Sequence, residues 1–216
     1  EDSFLEYATS LRMSQLGYMS EAQDDLHIAY NSLEEYTDNL KLALTKQHPP
    51  YQEIGIKDGD DFLQINDSII QIENEYYSSI RPKRVVGSGE RPINILKEKG
   101  IEYVEVRCMD NNPFLNSSID KETAYFIEAF LMTSLMDEEK PCLNKEIKEI
   151  QNNWQSVVKE GRKPNLDLKI DGKSTPLKDA ANIFLEKMKR FASSIPEDGK
   201  NLKENILKSI KTQEEK

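Results

Sequence analysis

Apolar and polar residues change rhythm along this chain. Residues 3–31 are mixed polar and aromatic, with a turn signal at Gly17-Tyr18. Leu33, Tyr36, Leu40 and Leu44 then recur at helical spacing, behind a cap at Asn31 or Ser32 and with Glu34 and Glu35 in the first turn. Pro49-Pro50 forbids that helix from continuing. A turn at 57–60 leads into two β-like runs, 62–66 and 69–77. The second is rich in β-branched and aromatic residues with a tendency to alternate, and Pro82 is expected to end it. A short helix over 93–99 closes at Gly100, and 101–108 is the most strand-like segment of all. After Pro113 the pattern is helical: 120–136 behind Asp120, 144–161 behind Asn144, then 176–193 and 202–211. A short apolar run at 166–170 leads into the Asp171-Gly172 turn. The expected fold class is therefore α+β, with antiparallel strands in the first half and helices in the second. The boundary is expected near residue 118, giving an α+β part over 1–118 and a helical part over 119–216.

Composition narrows the function classes. The chain has 216 residues, 39 acidic and 29 basic, for a formal net charge of −10. Such a balance excludes a protein that coats nucleic acid through phosphate contacts and argues against an acidic-membrane binder. No apolar run approaches the ~20 residues needed to span a bilayer, and no signal-peptide pattern appears. Cys108 and Cys142 form neither a disulfide framework nor a zinc signature; reduced thiols in the cytoplasm are the expectation. His27 and His48 have no ligand spacing, and Trp154 lies at a helical apolar spacing that suits a core.

Candidate chemistry is concentrated on two segments. In the strand at 101–108, alternation sends Val104, Val106 and Cys108 to one face, expected to be the core, and Tyr103, Glu105 and Arg107 to the other. A carboxylate and a guanidinium two positions apart are either a solvated surface pair or a metal-binding carboxylate beside a phosphate-binding arginine. In the second segment, Glu73, Glu75 and Tyr77 are expected to share one strand face. Arg81, Lys83 and Arg84 follow, a basic cluster in an acidic chain and a candidate anion site, with an ordinary charged strand end as the alternative. No P-loop or dinucleotide fingerprint occurs.

Longer motifs are more specific. Tyr7-Ala8-Thr9-Ser10-Leu11-Arg12 with Leu16-Gly17-Tyr18, Leu63-Gln64-Ile65-Asn66, the block from Gln71 through Tyr77 to Ile80-Arg81-Pro82-Lys83-Arg84, and Gly100 to Arg107 with Asp110, Asn112, Pro113 and Phe114 resemble the glutamate–cysteine ligases of the proteobacterial type. Asn153-Trp154 and Glu160-Gly161-Arg162-Lys163-Pro164 extend the resemblance into the helical half, where it is patchier.

That resemblance implies an ATP-dependent, cytoplasmic ligase that joins the γ-carboxylate of L-glutamate to the amine of L-cysteine through an acyl phosphate, the first step of glutathione biosynthesis. It also implies part of a glutamine-synthetase-like active-site sheet. By resemblance, Glu105 matches a Mg²⁺ ligand, Arg107 the arginine at the transferring phosphoryl group, and Arg12 an arginine holding a substrate carboxylate. Tyr18 and Tyr77 match tyrosines lining the cysteine pocket; Arg81 and Lys83 are nominated for the nucleotide phosphates, more from local charge than from motif. Family members are considerably longer, and an N-terminal part supplies further metal-binding glutamates. The chain, which starts at Glu1, is therefore expected to be the central and C-terminal part, with little activity alone and in need of the missing part to complete the site. A non-catalytic helical interaction module and a related ligase with another acceptor are the alternatives.

Overall fold

A computed structural model describes residues 4–23, 26–137 and 140–215. The chain forms two compact units. One holds residues 10–109 with 141–147; the other holds the residues through Thr9, 110–140 and 148–216.

The first unit is α+β. Helix α1 (Leu33–Ala43) starts where the capping signal stands: Ser32 Oγ accepts from the Glu35 amide at 3.1 Å. Pro49 does not merely stop a helix; it opens α2 (Pro49–Ile54) at a first-turn position where a missing N–H costs nothing. Strands β1 (Lys57–Asp58) and β2 (Asp61–Phe62) form a tiny hairpin around Gly59, whose φ is +61°. Helix α3 (Pro92–Lys99) lies against α1, and Ile28, Tyr36, Leu40, Ile69, Ile70, Ile93 and Leu96 form the core between them. Strand β3 (Ile80–Lys83) pairs antiparallel with β4 (Tyr103–Val106), Arg81 opposite Glu105 and Lys83 opposite Tyr103.

Three strand expectations change here. Residues 63–66 and 69–77 are not strands, and 73–75 is a single 3-10 turn. Ile69 and Ile70 are buried as their apolar character demands, but their amides donate to the Lys46 and Ala43 carbonyls, and the Asn66 and Arg81 side chains take up the carbonyls of Gln71, Glu73 and Asn74, so no strand ladder runs along this segment. Glu73, Glu75 and Tyr77 consequently share no strand face. Pro82 does not end a strand but lies inside β3. Arg107 N donates to Ser79 O at 2.7 Å, so the odd-numbered positions of β3 face β4 and the proline position, which has no N–H to give, faces away. Finally, Val104 is 43% exposed and Val106 only partly buried, so the valine face of β4 is not the core face of this unit.

The second unit is mostly helical. Asp120 caps α4 (Lys121–Met136), accepting from the Thr123 amide at 2.7 Å. Helix α5 (Asn144–Glu160) follows; Trp154 on it is half-buried. Strands β5 (Asp167–Ile170) and β6 (Lys173–Pro176) make a hairpin whose central residues, Asp171 and Gly172, have φ of +51° and +76°. This is the left-handed pair that a two-residue turn requires. Helices α6 (Leu177–Ser194) and α7 (Lys200–Glu214) pack with α4 around Ala129, Leu185, Met188, Ala192, Ile206 and Ile210. An ion pair between Lys208 and Glu122 joins α7 to the first turn of α4, where a carboxylate also suits the helix N-terminus.

Candidate active site

Strands β3 and β4 build one polar face. Directly opposed residues of an antiparallel pair lie on the same side, so Arg81, Lys83, Tyr103 and Glu105 share a face, and Arg107 follows Glu105 two positions on. Arg107 Nε donates to Glu105 Oε2 at 2.9 Å, with both side chains about one-third exposed or less. The pair is neither buried nor freely solvated, the setting in which a guanidinium holds a fixed orientation yet reaches a ligand.

The loop 10–18 comes to this pair from far away in sequence. Arg12 Nε donates to the Arg107 carbonyl at 2.5 Å, and the Arg107 guanidinium donates from Nη1 to the Tyr18 hydroxyl. The loop doubles back, with Tyr18 N donating to Arg12 O at 2.5 Å. Gly17 makes that possible, because a Cβ there would run into the carbonyl oxygens of Leu11 and Arg12. The Arg12 guanidinium stacks 4.6 Å from the Tyr18 ring centre, and that ring meets Tyr77 edge-on at 4.5 Å. Arg12, Tyr18, Tyr77, Glu105 and Arg107, all nominated from the sequence, thus form one linked cluster: Glu105 and Tyr18 bond the Arg107 guanidinium, Arg12 bonds its carbonyl, and Tyr77 joins through Tyr18. Partial burial pulls the Arg107 pKa down, but the Glu105 and Tyr18 contacts outweigh it and the net displacement is upward.

Arg81 and Lys83 border a cavity of about 270 Å³ whose walls also include Tyr36, Glu73, Arg84 and Tyr103. Arg81 is 4% exposed and points its terminal nitrogens at the carbonyls of Glu73 and Asn74, at 3.0 and 3.2 Å, while its Nε has no partner among the described residues. Lys83 is held below the ordinary lysine value, first by burial and then by the charges of Arg81 and Arg107, with Glu105 and Glu73 opposing. Arg84 is occupied with the Gly100 carbonyl and Glu102. Glu73 and Glu75 serve the backbone: Glu73 Oε2 accepts from the Ile93 amide at the start of α3 at 2.8 Å, and Glu75 Oε2 from the Gln71 amide at 2.6 Å.

Sequence reasoning missed several contributors. Tyr36 and Tyr76 line the buried surroundings of Arg81; burial raises both hydroxyls, Tyr36 to about 12. Gln23 lies against the backbone on both sides of Tyr76. Gln23 carries no charge and belongs to no motif, so only three-dimensional contact reveals it. Glu105 offers the hard oxygen that magnesium takes, and this chain's donors fit one ligand of such an ion. Among the described residues, no group of three or more His, Cys, Asp and Glu side chains gathers for a metal. Among those residues, too, no helix is long and apolar enough to cross a membrane.

The glutamate-cysteine ligase family profile matches residues 1–157. This chain belongs to the glutamate–cysteine ligase family. The glutamate–cysteine ligase of Pseudomonas aeruginosa strain UCBPP-PA14 is 49% identical over 185 residues, covering 86% of this chain and 35% of the relative. That of Pseudomonas syringae pv. syringae strain B728a is 46% identical over 214 residues, covering 99% and 40%. The crystal structure of the Francisella tularensis glutamate–cysteine ligase in complex with AMP superposes with a TM-score of 0.87 at 40% identity, covering 97% of this chain and 41% of that one. A bifunctional glutathione synthetase from Pasteurella multocida, 18% identical with a TM-score of 0.60, shares the fold. The chain therefore spans between 35% and 41% of the length of these glutamate–cysteine ligases.

Proposed function

We propose that this chain carries part of the active site of an ATP-dependent, cytoplasmic ligase that joins the γ-carboxylate of L-glutamate to the amine of L-cysteine. The observation that carries the reading is the cluster in which Glu105 and Tyr18 bond the Arg107 guanidinium, Arg12 bonds its carbonyl and Tyr77 stands against Tyr18, with Lys83 bordering a cavity on the same strand pair. The γ-carboxylate attacks the γ-phosphorus of ATP, giving an acyl phosphate and ADP; the cysteine amine then attacks the acyl carbon, loses a proton and expels phosphate. In both steps the enzyme's work is orientation and neutralisation of charge. Arg107, oriented by Glu105, stabilises the transferring phosphoryl group. Arg12 holds a substrate carboxylate, and Tyr18 and Tyr77 form a wall of the acceptor pocket. Lys83 meets nucleotide phosphate. Arg81 contributes chiefly its positive field, since its terminal nitrogens already face two carbonyls. Glu105 supplies one ligand to Mg²⁺, which when bound screens the polyphosphate charge.

The relatives' greater length supports a further point: the remaining ligands and the rest of the site come from residues outside this chain, and the 216 residues have little or no ligase activity alone. The test is release of ADP dependent on L-glutamate and L-cysteine. The full-length protein is expected to show it and the isolated chain to lack it. Absence in the full-length protein refutes the assigned reaction, and sustained turnover by the isolated chain refutes the partial site.

A further inference from the structure

The segment that carries Tyr77 is held by no strand ladder, yet the Tyr77 ring stands in a defined edge-on contact with Tyr18. Its backbone is anchored at two places. At the front, Arg81 donates to the carbonyls of Glu73 and Asn74, and the Glu73 carboxylate accepts from the Ile93 amide. At the rear there is Gln23. This side chain is 8% exposed, and both ends of its amide are used: Nε2 donates to the Glu75 carbonyl at 3.0 Å, and Oε1 accepts from the Tyr77 amide at 2.9 Å. One donor and one acceptor set against residues i and i+2 reproduce the pair of bonds that an adjacent strand would make. Gln23 is itself fixed in the 3-10 turn Glu21–Gln23, with its amide donating to Ser20 O at 2.9 Å, shortly after Tyr18. A single amide thus ties the stretch bearing Tyr18 to the stretch bearing Tyr77.

We infer that Gln23 is a positioning residue that shapes the acceptor pocket by holding Tyr77 against Tyr18. The inference rests on the assignment of Tyr18 and Tyr77 to that pocket. The two anchors divide the labour: losing Gln23 leaves the Glu73 end on Arg81 and Ile93 and releases only the end with Tyr77. The chemistry also selects glutamine. Glutamate keeps the volume and the acceptor but sets a carboxylate oxygen against the Glu75 carbonyl. Methionine fills the space and leaves a buried N–H and C=O unsatisfied, and asparagine is one methylene short.

The test uses the full-length enzyme with Gln23→Met, Gln23→Glu and, as a control, Tyr77→Ala. Gln23→Met is expected to raise the L-cysteine KM roughly tenfold through the two lost buried bonds. Gln23→Glu is expected to raise it severalfold, and the ATP KM is expected to stay put in both. A purely structural role would instead move both KM values together, which overturns the inference, as does an unchanged L-cysteine KM in Gln23→Met while Tyr77→Ala raises it. If Tyr77→Ala leaves that KM unchanged, the pocket assignment has failed and the inference falls with it, a result distinguishable from the first two. Should Gln23→Met not fold, the isosteric Gln23→Glu decides by the same split.

Discussion

Arg107 is gripped from two directions: its Nε is paired with Glu105 on its own strand at 2.9 Å, and its carbonyl accepts from Arg12, 95 positions earlier, at 2.5 Å. The first contact is local and the second is tertiary. Together they orient a guanidinium without using all of its donors, as a site that must receive a charged group requires.

Removing that guanidinium tests the chemical step. In the full-length enzyme, Arg107→Ala is expected to lower kcat by about 10³-fold or more, the scale of an arginine that stabilises a transferring phosphoryl group. Arg107→Lys is expected to restore little, because an ammonium cannot bond Glu105, the Tyr18 hydroxyl and a phosphoryl oxygen in a planar fork. Single-turnover measurements separate this from a binding defect; an unchanged chemical rate would take Arg107 out of the role.

Gly17 is the backbone counterpart. A methyl group at this position meets two carbonyl oxygens that cannot move away as a flexible side chain could. Gly17→Ala is therefore expected to open the loop, separate Arg12 from Tyr18 and raise the KM of both amino-acid substrates, with a smaller effect on ATP. Quenching or NMR shifts at Tyr18 report the displacement directly, and unaltered kinetics would show that the doubled-back loop is dispensable.

Lys83 predicts a pH dependence. Its folded pKa lies below the unfolded value of 10.5, chiefly because of burial and then Arg81. The unfolded chain therefore holds more protons between the two values, and stability contributed by this group rises with pH across that window. A polyphosphate favours the charged lysine, so nucleotide binding is expected to take up protons there and to weaken as pH climbs through the lowered value. Titration calorimetry in buffers of differing ionisation enthalpy measures the uptake. Lys83→Met is expected to abolish it, and equal uptake by that variant would place the nucleotide elsewhere.

In the helical unit, Ile210 is fully buried among Ala129, Met188 and Ile206. Ile210→Ala is expected to cost about 2–5 kcal/mol by removing methyl groups and leaving a cavity. Asp120→Ala is expected to cost about 1 kcal/mol through the lost cap on the Thr123 amide. Denaturant unfolding ranks the two, and a cap effect larger than the core effect would contradict the packing.

What could be read in the residues alone is local by nature. Caps and periodicity located α1, α3, α4 and the later helices, because a helix satisfies its own backbone and announces its ends within a few residues. Alternation alone set Glu105 and Arg107 on one face, because a strand has period two wherever it is packed. Residues 69–77 defeated the same reasoning. Their content favours a strand, but the side chains of Asn66, Glu75, Arg81 and Gln23 take up several of their backbone groups, and a propensity does not count such side-chain partners. The tertiary structure alone decided that Arg12 and Tyr18 close on Arg107, that Gly17 permits the approach, and that Arg81 serves two carbonyls. Such contacts join segments tens of residues apart, and their energy exists only when the whole unit has folded to bring them together.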